Sequence, residues 1–214
     1  SSVAWDRAPR SKRMCRYEGM IGAIFHSPCR DCPVRRTCAA AEVLARSELH
    51  YTVALAGNPN TGKSTVFNAL TGLRQHTGNW PGKTVSRAEG YFAHNGASYR
   101  LVDLPGTYSL LSASTEEEIA RDFILFGKPD CTVVVVDATA LERNLNLVFQ
   151  VMEITNKVVV CVKLMDEARR KGINVDIQEL SKELGVPAVG TTARTGEGLD
   201  GLMRTIAGVI DGRI

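Results

Sequence analysis

A glycine-bounded loop with the pattern G-x-x-x-x-G-K-[ST] occupies residues 57–64, and this pattern is typical of phosphate-binding loops. The apolar run at residues 51–56 predicts a buried strand before the loop, and residues 65–70 predict a helix after it. The two glycines let the backbone turn tightly, so that backbone N–H groups and the helix N-terminus point at phosphate oxygens. Lys63 adds a positive charge near the β- and γ-phosphates, and the Ser64 hydroxyl is a predicted Mg²⁺ ligand. The candidate nucleotide-binding residues of this loop are Gly57, Asn58, Pro59, Asn60, Thr61, Gly62, Lys63, Ser64 and Thr65.

A second motif, D-x-x-G at residues 103–106, follows the strand-like residues 99–102. A carboxylate at a strand's end can hold Mg²⁺ through water, which is the role predicted for Asp103. Gly106 is placed to offer its N–H to a γ-phosphate. Thr84, between the first helix and the second strand, is the candidate second Mg²⁺ ligand beside Ser64. Thr107 stands where related enzymes place a water-orienting glutamine, so we expect slow intrinsic hydrolysis, on the order of 10⁻⁴–10⁻² s⁻¹.

A third motif at residues 163–166 follows the apolar residues 158–162 and predicts the base-recognition site. Asp166 would accept hydrogen bonds from the N1–H and 2-amino groups of guanine, which adenine cannot donate. Lys163 stands where an asparagine is expected, and an ammonium group offers three donors and no acceptor. After the predicted strand at 188–190 come Thr192, Ala193 and Arg194, where the Ala193 N–H is predicted to meet guanine O6. The motif favours GTP and GDP and leaves open a nucleotidase with relaxed base specificity.

The N-terminal 48 residues have a different character from the rest, so we predict an extension at 1–48 and the nucleotide-binding domain at 49–214. Residues 1–50 hold nine Lys or Arg against five Asp or Glu. Clustered cysteines favour a metal over disulfides in a cytosolic protein, and both Zn²⁺ and iron–sulfur clusters take four thiolates. Reduced free thiols on a solvated basic tail are the alternative. The candidate metal ligands are Cys15, Cys29, Cys32 and Cys38, whereas Cys131 and Cys161 fall in apolar strand patterns and are predicted core residues.

Alternating strand and helix patterns predict an α/β fold of the P-loop GTPase type. We expect a mainly parallel six-stranded sheet with one antiparallel edge strand and helices on both faces. In such a sheet the ligand loops gather at the carboxyl ends of the strands, where all three motifs fall. No apolar run approaches the roughly 20 residues that span a bilayer, and no signal peptide is visible, so we expect a cytoplasmic domain.

Three segments, at residues 78–85, 103–110 and 141–145, resemble the cytosolic GTPase domain of the bacterial ferrous-iron transport protein B family. The resemblance covers residues 49–209. It implies a GTPase switch of a Fe²⁺ uptake system at the cytosolic face of the inner membrane, coupled to a permease on another chain or on a removed segment. It also implies a K⁺ site that stimulates hydrolysis, with Asn60 as a ligand together with the Gly78 and Trp80 carbonyls. The family usually carries asparagine at the position of Lys163.

Two other functions remain open at this stage. A potassium-dependent GTPase of ribosome assembly or RNA modification would share the phosphate loop, but the segment at residues 78–82 argues against it. No recognised nucleic-acid module accompanies the basic extension, which argues against nucleic acid as a partner. A metal-sensing extension could accompany either a GTPase or a nucleotidase of relaxed specificity. The sequence leaves the oligomeric state open.

Overall fold

The computed structural model describes residues 50–72, 75–111, 114–192 and 196–214 of this chain. Strands and helices alternate through most of this part of the chain, as the hydrophobic pattern predicts. The strands are β1 (His50–Gly57), β2 (Gln75–Asn79), β3 (Ser86–His94), β4 (Ala97–Asp103), β5 (Cys131–Asp137), β6 (Val158–Lys163) and β7 (Ala188–Gly190). The helices are α1 (Lys63–Thr71), α2 (Thr115–Gly127), α3 (Leu141–Ile154), α4 (Met165–Arg170), α5 (Ile177–Leu184) and α6 (Leu199–Ile210), with a 3₁₀ turn at Ala138–Ala140.

The strands form one sheet in the order β2-β3-β4-β1-β5-β6-β7. The pairs from β4 to β7 are parallel, and β2 and β3 extend one edge in antiparallel fashion. This arrangement confirms the predicted fold class. The Asn95-Gly96 turn joins β3 to β4, with left-handed backbone at both residues (φ 49° and 80°), as a two-residue hairpin turn requires.

The sheet has seven strands instead of the predicted six, because the polar stretch after α1 contains β2. Residues 76–79 are exposed, so this strand carries no hydrophobic signal. It forms through backbone pairing with β3, in which Gly78 lies opposite Arg87. The edge of an antiparallel sheet presents unpaired N–H and C=O groups, and a polar segment can satisfy them as well as an apolar one.

Apolar side chains pack on both faces of the sheet. Alternate residues of the strands point to opposite faces, so neighbours such as Leu55 and Ala56 belong to different clusters. One face packs against α1 and α6, and the other packs against α2, α3, α4 and α5. These packed layers hold the carboxyl ends of β1, β4, β5 and β6 in place. None of the described helices is both long and apolar enough to cross a membrane.

Candidate nucleotide-binding site

The phosphate loop joins β1 to α1 and leaves the start of the helix open. Gly62 is the N-cap residue in left-handed conformation (φ 76°), and no side chain caps the helix. The Gly62 carbonyl accepts hydrogen bonds from the N–H groups of Thr65 (3.0 Å) and Val66 (3.3 Å). The N–H groups of Lys63 and Ser64 precede this first hydrogen bond of the helix, and the helix dipole is positive there. This geometry suits an anion such as a phosphate chain.

Close packing at Gly57 sets the path of the loop. A Cβ at Gly57 would lie 2.8 Å from the Val135 carbonyl oxygen, so no larger residue fits here without a shift of the backbone. Inside the loop the Thr61 hydroxyl donates to the Asn58 carbonyl at 2.8 Å. Asn58 is 4% exposed, and its side-chain oxygen Oδ1 has no hydrogen-bond partner among the described residues. Asn60 is exposed in a turn with φ 64°.

Lys63 and Asp103 lie in direct contact, which brings the first two motifs together. The Lys63 ammonium donates to a carboxylate oxygen of Asp103 at the end of β4, 40 residues along the chain. Burial raises the pKa of Asp103, and the nearby Lys63 charge opposes that rise. The residues present therefore fit the predicted chemistry, because a cation for phosphate and a carboxylate for Mg²⁺ meet beside an open helix N-terminus. Ser64 is exposed at the start of the same helix.

The backbone after Asp103 lies on the phosphate loop. The Thr107 N–H donates to the Gly57 carbonyl at 3.3 Å, and Thr107 itself is buried. A Cβ at Gly106 would lie 3.2 Å from the Pro59 Cα, so glycine permits the close approach of the two loops. The position predicted for Gly106, beside the phosphate site, agrees with this packing.

Side chains of α3 hold the continuation of this segment. Gln150 accepts hydrogen bonds from the Leu110 N–H (2.6 Å) and from the Ser109 hydroxyl (3.2 Å). The Arg143 guanidinium stacks over the Tyr108 ring at 4.5 Å from its centroid. Sequence reasoning missed Gln150, since an isolated glutamine on an amphipathic helix gives no signal. Arg143 lies within the 141–145 segment that carries the family resemblance.

The loop between β2 and β3 also contacts a helix. Trp80 is 8% exposed, and its ring meets the Phe123 ring of α2 edge-on at 5.5 Å between centroids. The Arg87 guanidinium lies 4.8 Å from the centroid of the Trp80 ring. Lys83 forms an ion pair with Glu118 of α2 at 2.8 Å. Residues 80–83 and 108–110, named the switch segments, thus contact the α2–α3 side of the sheet, which no sequence motif indicated.

The predicted K⁺ ligands occupy separate local structures in this conformation. The Trp80 carbonyl accepts a hydrogen bond from the Lys83 N–H at 3.0 Å, closing a turn. Gly78 is paired with β3, and Asn60 is exposed in the phosphate loop. Thr84, the predicted second Mg²⁺ ligand, is exposed just before β3. The roles of these four residues stay predictions.

At the base-recognition motif, Lys163 lies at the end of β6 and reaches the phosphate loop. It is 5% exposed, and its ammonium donates to the Gly62 carbonyl at 3.2 Å, 101 residues away in sequence. Burial lowers the pKa of Lys163 below its usual value, while Cys161 and Asp137 oppose this shift. Asp137 stands opposite Lys163 in the β5–β6 register and was not predicted as part of the site.

Asp166 occupies the first turn of α4, and its side chain is half exposed. It forms an ion pair with Arg170 at 3.2 Å, one turn further along the helix. One carboxylate oxygen makes this contact, so the second can accept from a base. Thr192 follows β7, and its N–H donates to the Glu197 carbonyl. Ala193 and Arg194, predicted at guanine O6, lie outside the described residues.

The four N-terminal cysteines, Cys15, Cys29, Cys32 and Cys38, also lie outside the described residues, so the predicted metal site stays a prediction. Within the described ranges, no group of three or more His, Cys, Asp or Glu side chains is arranged to hold a metal ion. Cys131 and Cys161 are buried in β5 and β6, which confirms that they are core residues.

A cavity of about 640 Å³ lies at the carboxyl end of β5, outside the three motifs. It lies between the 138–143 segment and residues 173–183 of the α4–α5 region. Four of its lining residues carry carboxylates and one carries a guanidinium, which suits a polyphosphate poorly. This cavity is therefore a poor match for the phosphate chain of a nucleotide. The charged lining residues are Glu142, Arg143, Asp176, Glu179 and Glu183.

Comparison with known proteins agrees with this geometry. A family model described as "Ferrous iron transport protein B" matches residues 51–206. The Fe(2+) transporter FeoB of Salmonella typhimurium is 45% identical over 159 residues, which are 72% of this chain and 21% of that protein. The Escherichia coli K12 transporter is 44% identical over the same length. The chain thus spans about a fifth of the curated relatives it matches.

Solved structures show the same fold. The G domain of the T. maritima FeoB iron transporter superposes with a TM-score of 0.71 at 44% identity, covering 75% of this chain and 98% of that one. The FeoB G domain from Methanococcus jannaschii gives 0.68 at 45% identity, with coverages of 76% and 99%. The cytosolic domain of T. maritima FeoB in a GDP form gives 0.73 at 45% identity, with coverages of 76% and 64%. This chain belongs to the ferrous iron transport protein B family, and its described part is a P-loop G domain.

Proposed function

We propose that residues 49–214 are the GTP-binding and GTP-hydrolysing switch domain of a ferrous-iron uptake system. The observation that carries this proposal is the contact of Lys63 with Asp103 beside the uncapped start of α1. A phosphate cation and a Mg²⁺ carboxylate meet there at the carboxyl edge of a parallel sheet, as nucleotide hydrolysis requires. The relatives solved with GDP belong to the same family.

In this proposal the chain's residues bind and orient the triphosphate. The first-turn N–H groups of α1 and the Lys63 ammonium hold the β- and γ-phosphates, so Lys63 leaves Asp103 when nucleotide binds. Ser64, Thr84 and Asp103 hold Mg²⁺, which neutralises charge that develops on the phosphates. Gly106 offers its N–H to the γ-phosphate. No glutamine follows Gly106, so hydrolysis is slow unless a cation assists it.

The nucleotide state is transmitted through the two segments that contact α2 and α3. Contact of Gly106 with a γ-phosphate would pull on the backbone that Gln150 holds through Leu110. Contact of Thr84 with Mg²⁺ would pull on the turn that Trp80 and Lys83 anchor to α2. Hydrolysis releases both segments, an order–disorder change that a permease could sense. Related structures are described as the cytosolic domain of FeoB, so we place this domain at the cytosolic face of the membrane.

Phosphate release from GTP, measured with Mg²⁺ in KCl and in NaCl, tests the activity and the potassium site together. We expect slow hydrolysis that is faster in KCl, and we expect Asn60→Ala to remove the difference. Equal rates in the two salts would reject the potassium site and leave the GTPase standing. No Mg²⁺-dependent hydrolysis in either salt would reject the GTPase.

Coupling to iron uptake requires a cellular test. Radiolabelled Fe²⁺ uptake should fall when Lys63→Ala replaces the natural residue in the full-length protein, at equal protein abundance. Unchanged uptake would separate nucleotide hydrolysis from transport.

A nucleoside triphosphatase of relaxed base specificity is the second candidate, and Lys163 is the observation that favours it. An ammonium group cannot accept a hydrogen bond from a base, and one of the three donors of Lys163 bonds to the Gly62 carbonyl. Displacement of a fluorescent GDP analogue by GDP and by ADP decides between the two. A preference for GDP of roughly a hundredfold, about 2.7 kcal/mol, supports the GTPase.

A further inference from the structure

Lys163 links the base-recognition strand to the phosphate loop through a buried ammonium group. Its Nζ donates to the Gly62 carbonyl at 3.2 Å, and a Cβ placed on Gly62 would collide with that nitrogen. Gly62 is the residue before Lys63 and the N-cap of α1. The ammonium of Lys163 therefore lies against the segment of backbone that binds phosphate.

The Lys163 ammonium adds its charge beside the start of α1. The N-terminus of α1 carries the positive end of the helix dipole, and Lys63 adds a full charge on the next residue. Asp137 is the carboxylate opposite Lys163, but one of its oxygens already accepts from the N–H and hydroxyl of Thr139. Lys63 is paired with Asp103, so the Lys163 charge and the positive end of the helix dipole together favour a polyanion on this loop.

We propose that Lys163 is a specificity-determining residue that strengthens binding of the diphosphate part of the nucleotide and weakens the dependence of binding on the base. An asparagine at this place would contribute a neutral amide with both a donor and an acceptor. The lysine keeps the donor to Gly62, loses the acceptor and adds a charge. Base selection then rests on Asp166, whose side chain is half exposed and shares an ion pair with Arg170.

This inference deepens the proposed function and rests on it, because it concerns the same nucleotide site. Pyrophosphate isolates the contribution of the phosphates, since it carries no base. Calorimetric titrations of pyrophosphate, GDP and ADP, each with Mg²⁺, are compared for the natural chain, Lys163→Asn and Lys163→Met. Lys157→Asn is the matched control, because Lys157 is exposed just before the opposite end of the same strand and loses the same charge.

We expect pyrophosphate affinity to fall about tenfold in Lys163→Asn and Lys163→Met, about 1.4 kcal/mol, and to stay within twofold in Lys157→Asn. The ratio of GDP to ADP affinity should rise in Lys163→Asn, which restores an acceptor, and stay constant in Lys163→Met. Lys163→Met keeps a long buried side chain without the charge. It therefore still measures the effect of the charge on pyrophosphate affinity in the case that the shorter asparagine destabilises the strand. Circular dichroism melting confirms that each variant is folded.

Two results would overturn the inference. One leaves the proposed function unaffected, and the other rejects it as well. If both Lys163 variants bind pyrophosphate like Lys157→Asn, Lys163 serves only to brace the loop and the proposed function stands. If the natural chain binds neither GDP nor pyrophosphate in the presence of Mg²⁺, the proposed function fails together with the inference.

Discussion

The phosphate end and the base end of the site are built in different ways. At the phosphate end, backbone groups of residues 57–65 do most of the work, and close packing of Gly57 on Val135 and of Gly106 on Pro59 holds them. At the base end, the proposed recognition depends on side chains, of which that of Lys163 is buried against the loop and that of Asp166 is half exposed. A site made of backbone is specified by the fold, whereas a site made of side chains changes with a single substitution.

This difference has a consequence for specificity. In the proposed function the phosphate end contacts only groups that all nucleoside polyphosphates share, so we expect it to bind any of them. Discrimination between guanine and adenine depends on whether Asp166 is left without partners by the wrong base. Because Lys163 contacts the phosphate loop, we expect a substitution there to change phosphate affinity together with base preference, whereas a substitution at Asp166 should change base preference alone. The predictions below separate the two ends.

The largest expected effect concerns the phosphate end. Lys63→Ala should lower GDP affinity by at least roughly a hundredfold, because a hydrogen bond to a charged group contributes about 1.5–3 kcal/mol and this lysine faces two phosphates. Displacement of a fluorescent GDP analogue measures the change. Lys182→Ala, at an exposed lysine of α5, is the control and should have no effect. A loss of less than tenfold in Lys63→Ala would contradict the backbone-plus-lysine description of this end.

At the base end, Asp166→Ala should reduce GDP affinity tenfold or more and leave ADP affinity unchanged. The missing carboxylate removes acceptors for guanine and nothing that adenine uses. Arg170→Ala is the matched control, since it removes only an exposed ion pair that contributes about 0.3–0.5 kcal/mol. An unchanged ratio of GDP to ADP affinity in Asp166→Ala would show that this carboxylate does not recognise the base.

A smaller effect, on stability, involves the buried cysteines of β5 and β6. Burial raises the pKa of Cys161 to about 11 and the pKa of Cys131 to about 12, from an ordinary value of 9.0. In the unfolded chain both thiols ionise above pH 9, whereas in the folded chain they stay protonated. The free energy of unfolding should therefore fall as pH rises through 9, and at pH 10 each thiol should have lowered it by about 1.4 kcal/mol relative to neutral pH.

Urea unfolding of the natural chain and of a Cys131→Ala/Cys161→Ala double variant between pH 8 and 10.5 checks this expectation. The double variant should lack the part of the fall in unfolding free energy above pH 9 that comes from ionisation of the two thiols. Equal pH dependence in both proteins would mean that the strands are open to water at these positions.

The smallest expected effect concerns the link from the phosphate end to α3. Gln150→Ala should lower the free energy of unfolding by about 1 kcal/mol, because the buried Leu110 N–H loses its acceptor. Hydrogen exchange of the Leu110 amide should also become faster. Gln178→Ala, at an exposed position of α5, serves as the comparison. Unchanged exchange at Leu110 would show that the segment is held by other contacts.

Much of the fold followed from hydrophobic periodicity. The apolar runs at residues 131–136 and 158–162 predict the buried strands β5 and β6 almost to the residue. Parallel strands that are buried on both faces have nearly continuous apolar sequences. Strand β2 was missed because its stability comes from backbone pairing at an exposed edge, and its side chains leave no pattern. The contacts of Gln150 and Phe123 were missed for a related reason, since the partner of a helix side chain depends on which helix lies next to it.

The sequence by itself determined the fold class and the family and predicted the phosphate loop and the Mg²⁺ carboxylate, because these depend on local backbone requirements and on motifs read within a few residues. Only the tertiary structure decided that Lys63 meets Asp103, that Lys163 reaches Gly62 across 101 residues, and that both switch segments contact α2 and α3. These contacts join residues far apart in the chain, and packing of helices on a common sheet brings them together. A lysine at position 163 is visible in the sequence, but its place against the phosphate loop is a property of the fold.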